Sequence, residues 1–122
     1  MDKARTYKEL IIWKRGISFV KEIYLISDKL PEKEKYGLIS QIQRAAISVP
    51  LNVAEGWSRK NTKEYIQFLH ISLGSLAEVD TILIICEELR YVKSNDTIKI
   101  KEEIIELQKM IYSAVKTLTS NL

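Results

Sequence analysis

The chain has one cysteine, one histidine, two prolines and four glycines in 122 residues. A single cysteine, Cys86, leaves no internal disulfide and fits a reducing compartment, so a cytoplasmic location is expected. The lone His70 has no cysteine near it at metal-ligand spacing, which argues against a metal centre. So few glycines and prolines disfavour a many-turn β architecture. The longest unbroken apolar run, Ile82 to Cys86, is far below the roughly 20 residues of a membrane span. The stretch from Met1 to Tyr7 is polar and charged, unlike a secretory signal. No glycine-rich phosphate loop, nucleophile elbow or Glu-x-x-His di-metal signature is present, and this excludes the usual catalytic and cofactor chemistries of small helical proteins. A non-enzyme without cofactor, metal, small-molecule substrate or membrane contact is the expectation.

What is present is helical periodicity. Apolar residues make up 46% and charged residues 29%, enough for one domain with a real core. Thr6 and Glu9 have capping-box spacing, and Leu10, Trp13, Ile17, Val20 and Tyr24 follow at helical steps, predicting a first helix over about 8–29. Pro31 suits the start of a second helix over 32–55, with Gly56 as a left-handed stop and a kink at the internal Pro50. Asn61 and Glu64 launch a third helix over 62–90, inside which Gly74 and Ser75 suggest close approach by a neighbouring backbone. Ser94, Asn95 and Asp96 form a turn and cap before a fourth helix over 97–119. Short connections make a single all-α domain, residues 1–122, an antiparallel up-down-up-down four-helix bundle.

The second helix has two stripes. Leu38, Ile42, Ala45, Val49 and Val53 form its apolar face, while Gln41, Arg44, Ser48, Asn52 and Glu55 recur beside them as a polar seam. Such a seam, with Glu78, fits a network that sets helix register or joins subunits; a buried Arg44 requires a carboxylate, from Glu55 or Glu78. Leu10–Trp13 and Ile82–Cys86 are apolar almost all round their helices, a surplus that self-association would bury. Residues 1–75 carry thirteen basic against eight acidic side chains, and residues 76–122 six against eight. Lys14 and Arg15 on the first helix, and Arg59, Lys60 and Lys63 at the turn before the third, are the candidate nucleic-acid contacts, with Trp57 and Tyr65 near enough to stack on bases or to complete the core. Cys86 reads as core, and Glu102, Glu103 and Glu106 as solvated.

The chain resembles the bacterial four-helix-bundle family typified by the 23S rRNA intervening-sequence proteins. The resemblance rests on Tyr7, Leu10 and Trp13; on Pro31, Glu34 and Tyr36-Gly37-Leu38; on the block Gln41 to Gly56; and on Arg59, Tyr65, Phe68-Leu69 and Gly74 to Glu78. Leu51 and Val53 stand where small or branched residues are usual. The resemblance implies a homopentameric ring, no enzymatic activity, and a more distant similarity to the accessory protein of diversity-generating retroelements, which contacts a reverse transcriptase and nucleic acid. RNA or a ribonucleoprotein is the implied partner; a protein–protein scaffold is the alternative.

Overall fold

The computed structural model describes residues 4–122, so the opening positions 1–3 of the polar stretch lie outside the described residues. Among the described residues there are four α-helices and no strand: α1 (Ile11–Ser27), α2 (Leu38–Trp57), α3 (Thr62–Glu88) and α4 (Ser94–Ser120). Two 3-10 turns, Tyr7–Glu9 and Glu32–Glu34, precede α1 and α2. Each helix packs on its neighbours in chain order, and α1 closes the set against α4. Ser72 reaches Val49 and Ser75 reaches Ser48, while Gly56 faces Tyr65 and Phe68, so numbers rise along α2 as they fall along α3. One continuous core results, with Phe19 and Ile23 of α1, Ile42, Val49 and Val53 of α2, Leu69, Leu76 and Leu83 of α3, and Ile104, Leu107 and Ile111 of α4 fully enclosed.

The helix ends depart from the sequence expectation, each for a local reason. Thr6 caps a 3-10 turn by accepting from the Lys8 amide (3.4 Å), but the Glu9 carboxylate takes the Arg5 amide instead of completing a capping box. Leu10 is extended, which lets it pack on the core while Tyr7 packs edge-on against both Trp13 and Trp57. The second helix begins at Leu38, not after Pro31. Glu34 turns back at Gly37, and its carboxylate accepts the Leu38 amide (3.2 Å) and the Tyr91 hydroxyl (3.1 Å), tying the start of α2 to the α3–α4 connection. Ser94 to Asp96 are the first turn of α4 instead of a preceding turn, with the Asp96 carboxylate accepting the Lys93 amide (2.9 Å).

The glycines correct two expectations. Gly56 does not stop α2; it is helical and buried, and a Cβ there would lie 2.7 Å from Phe68 Cβ, so glycine is required for space. Gly74, expected at a close backbone approach, has nothing within 4 Å of where a Cβ would be. The close approach falls at Gly16, 3.0 Å (as a built Cβ) from the Cβ of Pro50, inside the unbroken α2. Among the described residues the one in the left-handed region is Arg90 (φ 65°), where α3 ends. The Tyr91 amide donates to the Cys86 carbonyl and the Arg90 amide to that of Glu87 (both 2.9 Å), the paired bonds of a Schellman stop. α3 is long and apolar enough by composition to cross a membrane, but its apolar stripe is what α2 and α4 pack against.

Candidate interaction surfaces

The polar seam divides into an inner and an outer part. On the inner side Asn52 donates to the Ser48 carbonyl and hydroxyl (2.8 Å each), Ser75 donates to the Ser48 hydroxyl (2.8 Å), and the buried Ser72 donates to the Val49 carbonyl (2.9 Å). Small hydroxyls let α2 and α3 come close while satisfying every buried polar side chain among those described. These bonds fix the register of the two helices. Ser72 and Ser75, three residues apart on α3, complete the seam that the α2 stripe alone outlines.

The outer seam is open. Gln41, Arg44, Glu55 and Glu78 are exposed, and Arg44 lies with Gln41, Ser48, Ser75 and Glu78 along a polar cleft of about 470 Å³ beneath Tyr36. Arg44 is therefore not a buried charge, and it makes no ion pair with Glu55 or Glu78. Glu55 instead meets Arg59 one turn on (3.3 Å). Exposure removes the desolvation cost that would have demanded a partner.

The basic candidates also separate. Arg15 is no free contact: its guanidinium grips both oxygens of Glu103 on α4 (3.0 and 2.5 Å) and reaches Met110 Sδ (3.3 Å). The hydrogen bond to Glu103 and the nearby charge of Glu106 hold Arg15 above its ordinary pKa. Glu103, expected to be solvated, is part of this α1–α4 clamp, while Glu102 and Glu106 are exposed. Arg59 pairs with Glu55 and lies over the Phe68 ring (5.1 Å). Lys14, Lys60 and Lys63 are exposed and make no ion pair among the described residues. Because Tyr7 and Trp13 at the start of α1 lie beside Trp57 at the end of α2, all three lysines belong to one end of the bundle. Trp57 and Tyr65 are half-buried there, and burial pushes the Tyr65 phenol up.

His70 is exposed. Cys86 is fully buried, and burial, then the charges of Glu34 and Glu87, push its thiol up, so it stays protonated and inert. No group of three or more histidine, cysteine or acidic residues among those described is placed to hold a metal.

One stretch of the surface is apolar. Between α1 and α2, Trp13, Ile17, Val20, Ile47, Pro50 and Leu51 line a groove of about 440 Å³, and Tyr24 and Leu25 continue it along α1. Leu51 is 62% exposed and Leu25 70%. Contiguous apolar surface of this kind marks a docking face more often than a solvated one.

The model of the 23S rRNA-intervening sequence protein family matches residues 8–113. A crystal structure of a protein of unknown function from the S23 ribosomal protein family of Bacteroides thetaiotaomicron superposes with a TM-score of 0.80 at 20% identity, covering 87% of this chain and 99% of that one. No curated protein matches the chain. The fold is shared with that structure, and the match over nearly the whole length establishes that the chain belongs to the 23S rRNA-intervening sequence protein family.

Proposed function

We propose that this protein is a non-catalytic, cytoplasmic assembly module that forms a homo-oligomer, a pentamer by family resemblance, and holds structured RNA or a ribonucleoprotein at one end. The observation that carries the RNA reading is the cluster of Lys14, Lys60 and Lys63, exposed and without an acidic partner among the described residues, at the end where α1 begins and α2 turns into α3. Three lysines on one subunit are a weak anion site. Repeated around an oligomer they become a ring of positive charge, and each phosphate contact adds to a salt-dependent affinity. The family's name points the same way. Self-association is supported by the apolar groove between α1 and α2, and the exposed Arg44 and Glu78 of the outer seam are free to face a neighbouring copy.

Filter binding to 23S rRNA fragments over a salt series tests this. Affinity falls steeply with salt, and replacing Lys60 and Lys63 by Ser weakens it about tenfold or more at moderate salt with a shallower slope. Equal, negligible binding by both forms at low salt rejects the RNA reading. The second reading, a protein–protein scaffold, is favoured by the same apolar groove; its partners would survive nuclease treatment in a pull-down, whereas RNA-dependent ones would be lost.

A further inference from the structure

From the side chains gathered in the polar cleft between α2 and α3, we infer that this cleft holds one unpaired guanine base of the bound RNA. The inference rests on the RNA reading proposed above and adds a second contact, away from the lysines. The floor of the cleft is closed: Ser48, Asn52 and Ser75 are hydrogen-bonded to one another and to backbone carbonyls. Its sides are not. Ser40, Gln41, Arg44 and Glu78 line the same space of about 470 Å³ and take no part in those bonds. None of the ion pairs among the described residues includes Arg44 or Glu78. A guanidinium and a carboxylate thus share one cleft, and neither is neutralised by contact. The volume suits a small planar group, since ligand clefts run from roughly 300 to 1,000 Å³.

The chemistry at the sides selects the occupant. A phosphate on Arg44 would stand near the Glu78 carboxylate, so a bare anion is disfavoured. A neutral group with an acceptor edge beside a donor edge satisfies both side chains. Guanine is the base with this pattern: O6 and N7 accept on one edge, while N1–H and the N2 amine donate on the next. Arg44 donates to the first edge and Glu78 accepts from the second. Adenine offers each of them one bond. Pairing with cytosine would occupy the donor edge, so the guanine is single-stranded. Tyr36, which lines the cleft, gives the base a face to stack on. Its ring has the Lys35 ammonium over one side at 5.6 Å and is 89% exposed, so the other side is open. Arg44 and Trp57 are thirteen residues apart on α2, about 20 Å of helix, a distance that a few nucleotides of single strand cross. The apolar groove lies on the α1 side of α2 and the cleft on its α3 side, so self-association through the groove leaves the cleft open.

Fluorescence anisotropy with the full chain tests this, using an RNA hairpin whose single-stranded tail carries G, A, C or U at one position. The guanine hairpin is expected to bind about tenfold tighter than the other three at fixed salt. Inosine, which lacks the N2 amine, and 7-deazaguanine, which lacks N7, are each expected to lose several-fold of that preference, and these two arms need no protein variant. Arg44→Ala and Glu78→Ala, both at exposed positions and checked for folding by circular dichroism melts, should abolish the preference. Replacing Lys60 and Lys63 by Ser should weaken all four hairpins alike and keep it. Four equal affinities overturn the inference and leave the RNA reading standing. Guanosine monophosphate that binds as tightly as the guanine hairpin overturns it in favour of a free nucleotide. Loss of the oligomer on sedimentation of Arg44→Ala or Glu78→Ala also overturns it, because those side chains then belong to a subunit contact. No binding of any hairpin at low salt removes the RNA reading itself, and the inference with it.

Discussion

Gly16 of α1 lies against Pro50 of α2, so close that an added Cβ would sit 3.0 Å from the proline Cβ. The ring that costs α2 an amide donor occupies the space left by the missing side chain on α1. Gly16→Ala therefore sets a helix-propensity gain of about 1 kcal/mol against an overpacking cost of about 1–3 kcal/mol. The rigid ring has little room to move, so a net loss on the order of 1 kcal/mol is expected in urea denaturation. Gly74→Ala meets nothing within 4 Å and is expected to raise stability by up to about 1 kcal/mol.

Arg90 holds a left-handed backbone with a full side chain at the end of α3. An L-residue pays about 1–2 kcal/mol for that conformation, and glycine pays little. The two bonds that close the helix use backbone atoms only, so they survive the change. Arg90→Gly should raise the denaturation midpoint, corresponding to about 1 kcal/mol. An unchanged or lower midpoint would mean that the guanidinium contributes more than the backbone strain costs.

Glu87 links α3 to α4. Its carboxylate is hydrogen-bonded by Lys101, Thr97 and Ser94, and the Lys101 bond, with the other two, holds it below the usual carboxylate pKa despite an opposing push from burial. A folded pKa below the unfolded value of about 4.3 means this stabilisation is complete above that value and is lost as pH falls through the folded one. Glu87→Gln should accordingly flatten the acid side of a stability-versus-pH curve measured between neutrality and pH 3. An acid limb as steep as that of the parent would contradict the assignment.

Arg15 and the lysine cluster should come apart in experiment. Arg15→Gln breaks the grip on Glu103 and lowers stability, by at most about 1 kcal/mol since the pair is partly exposed. RNA affinity should be unchanged, because the guanidinium is already occupied on the α1–α4 side. Loss of RNA binding in Arg15→Gln with no loss of stability would reverse this assignment.

How far these features were legible in the sequence follows from how local each one is. The helices and the core stripes declare themselves through residues such as Ile42, Val49 and Val53, whose spacing repeats within one element. Helix ends are different, because distant packing decides them. Leu10 leaves the helix so that Tyr7 can meet Trp13 and Trp57, and Gly56 stays helical because Tyr65 and Phe68 press on it from α3. The Schellman stop at Arg90 carries no glycine to announce it. Arg15 and Glu103 are 88 residues apart, so nothing in the neighbourhood of either marks the pair. Of the seam, Ser48 and Asn52 behave as their stripe suggests, whereas Arg44 points outward, a side chain long enough to escape the packing that holds its shorter neighbours.

Sedimentation equilibrium of the intact chain at micromolar concentration bears most directly on the claim that another copy covers the greasy furrow between the first two helices. The account predicts a species several times the mass of one subunit, which reverts to monomer in Leu51→Glu. A single-subunit mass across the whole concentration range contradicts it.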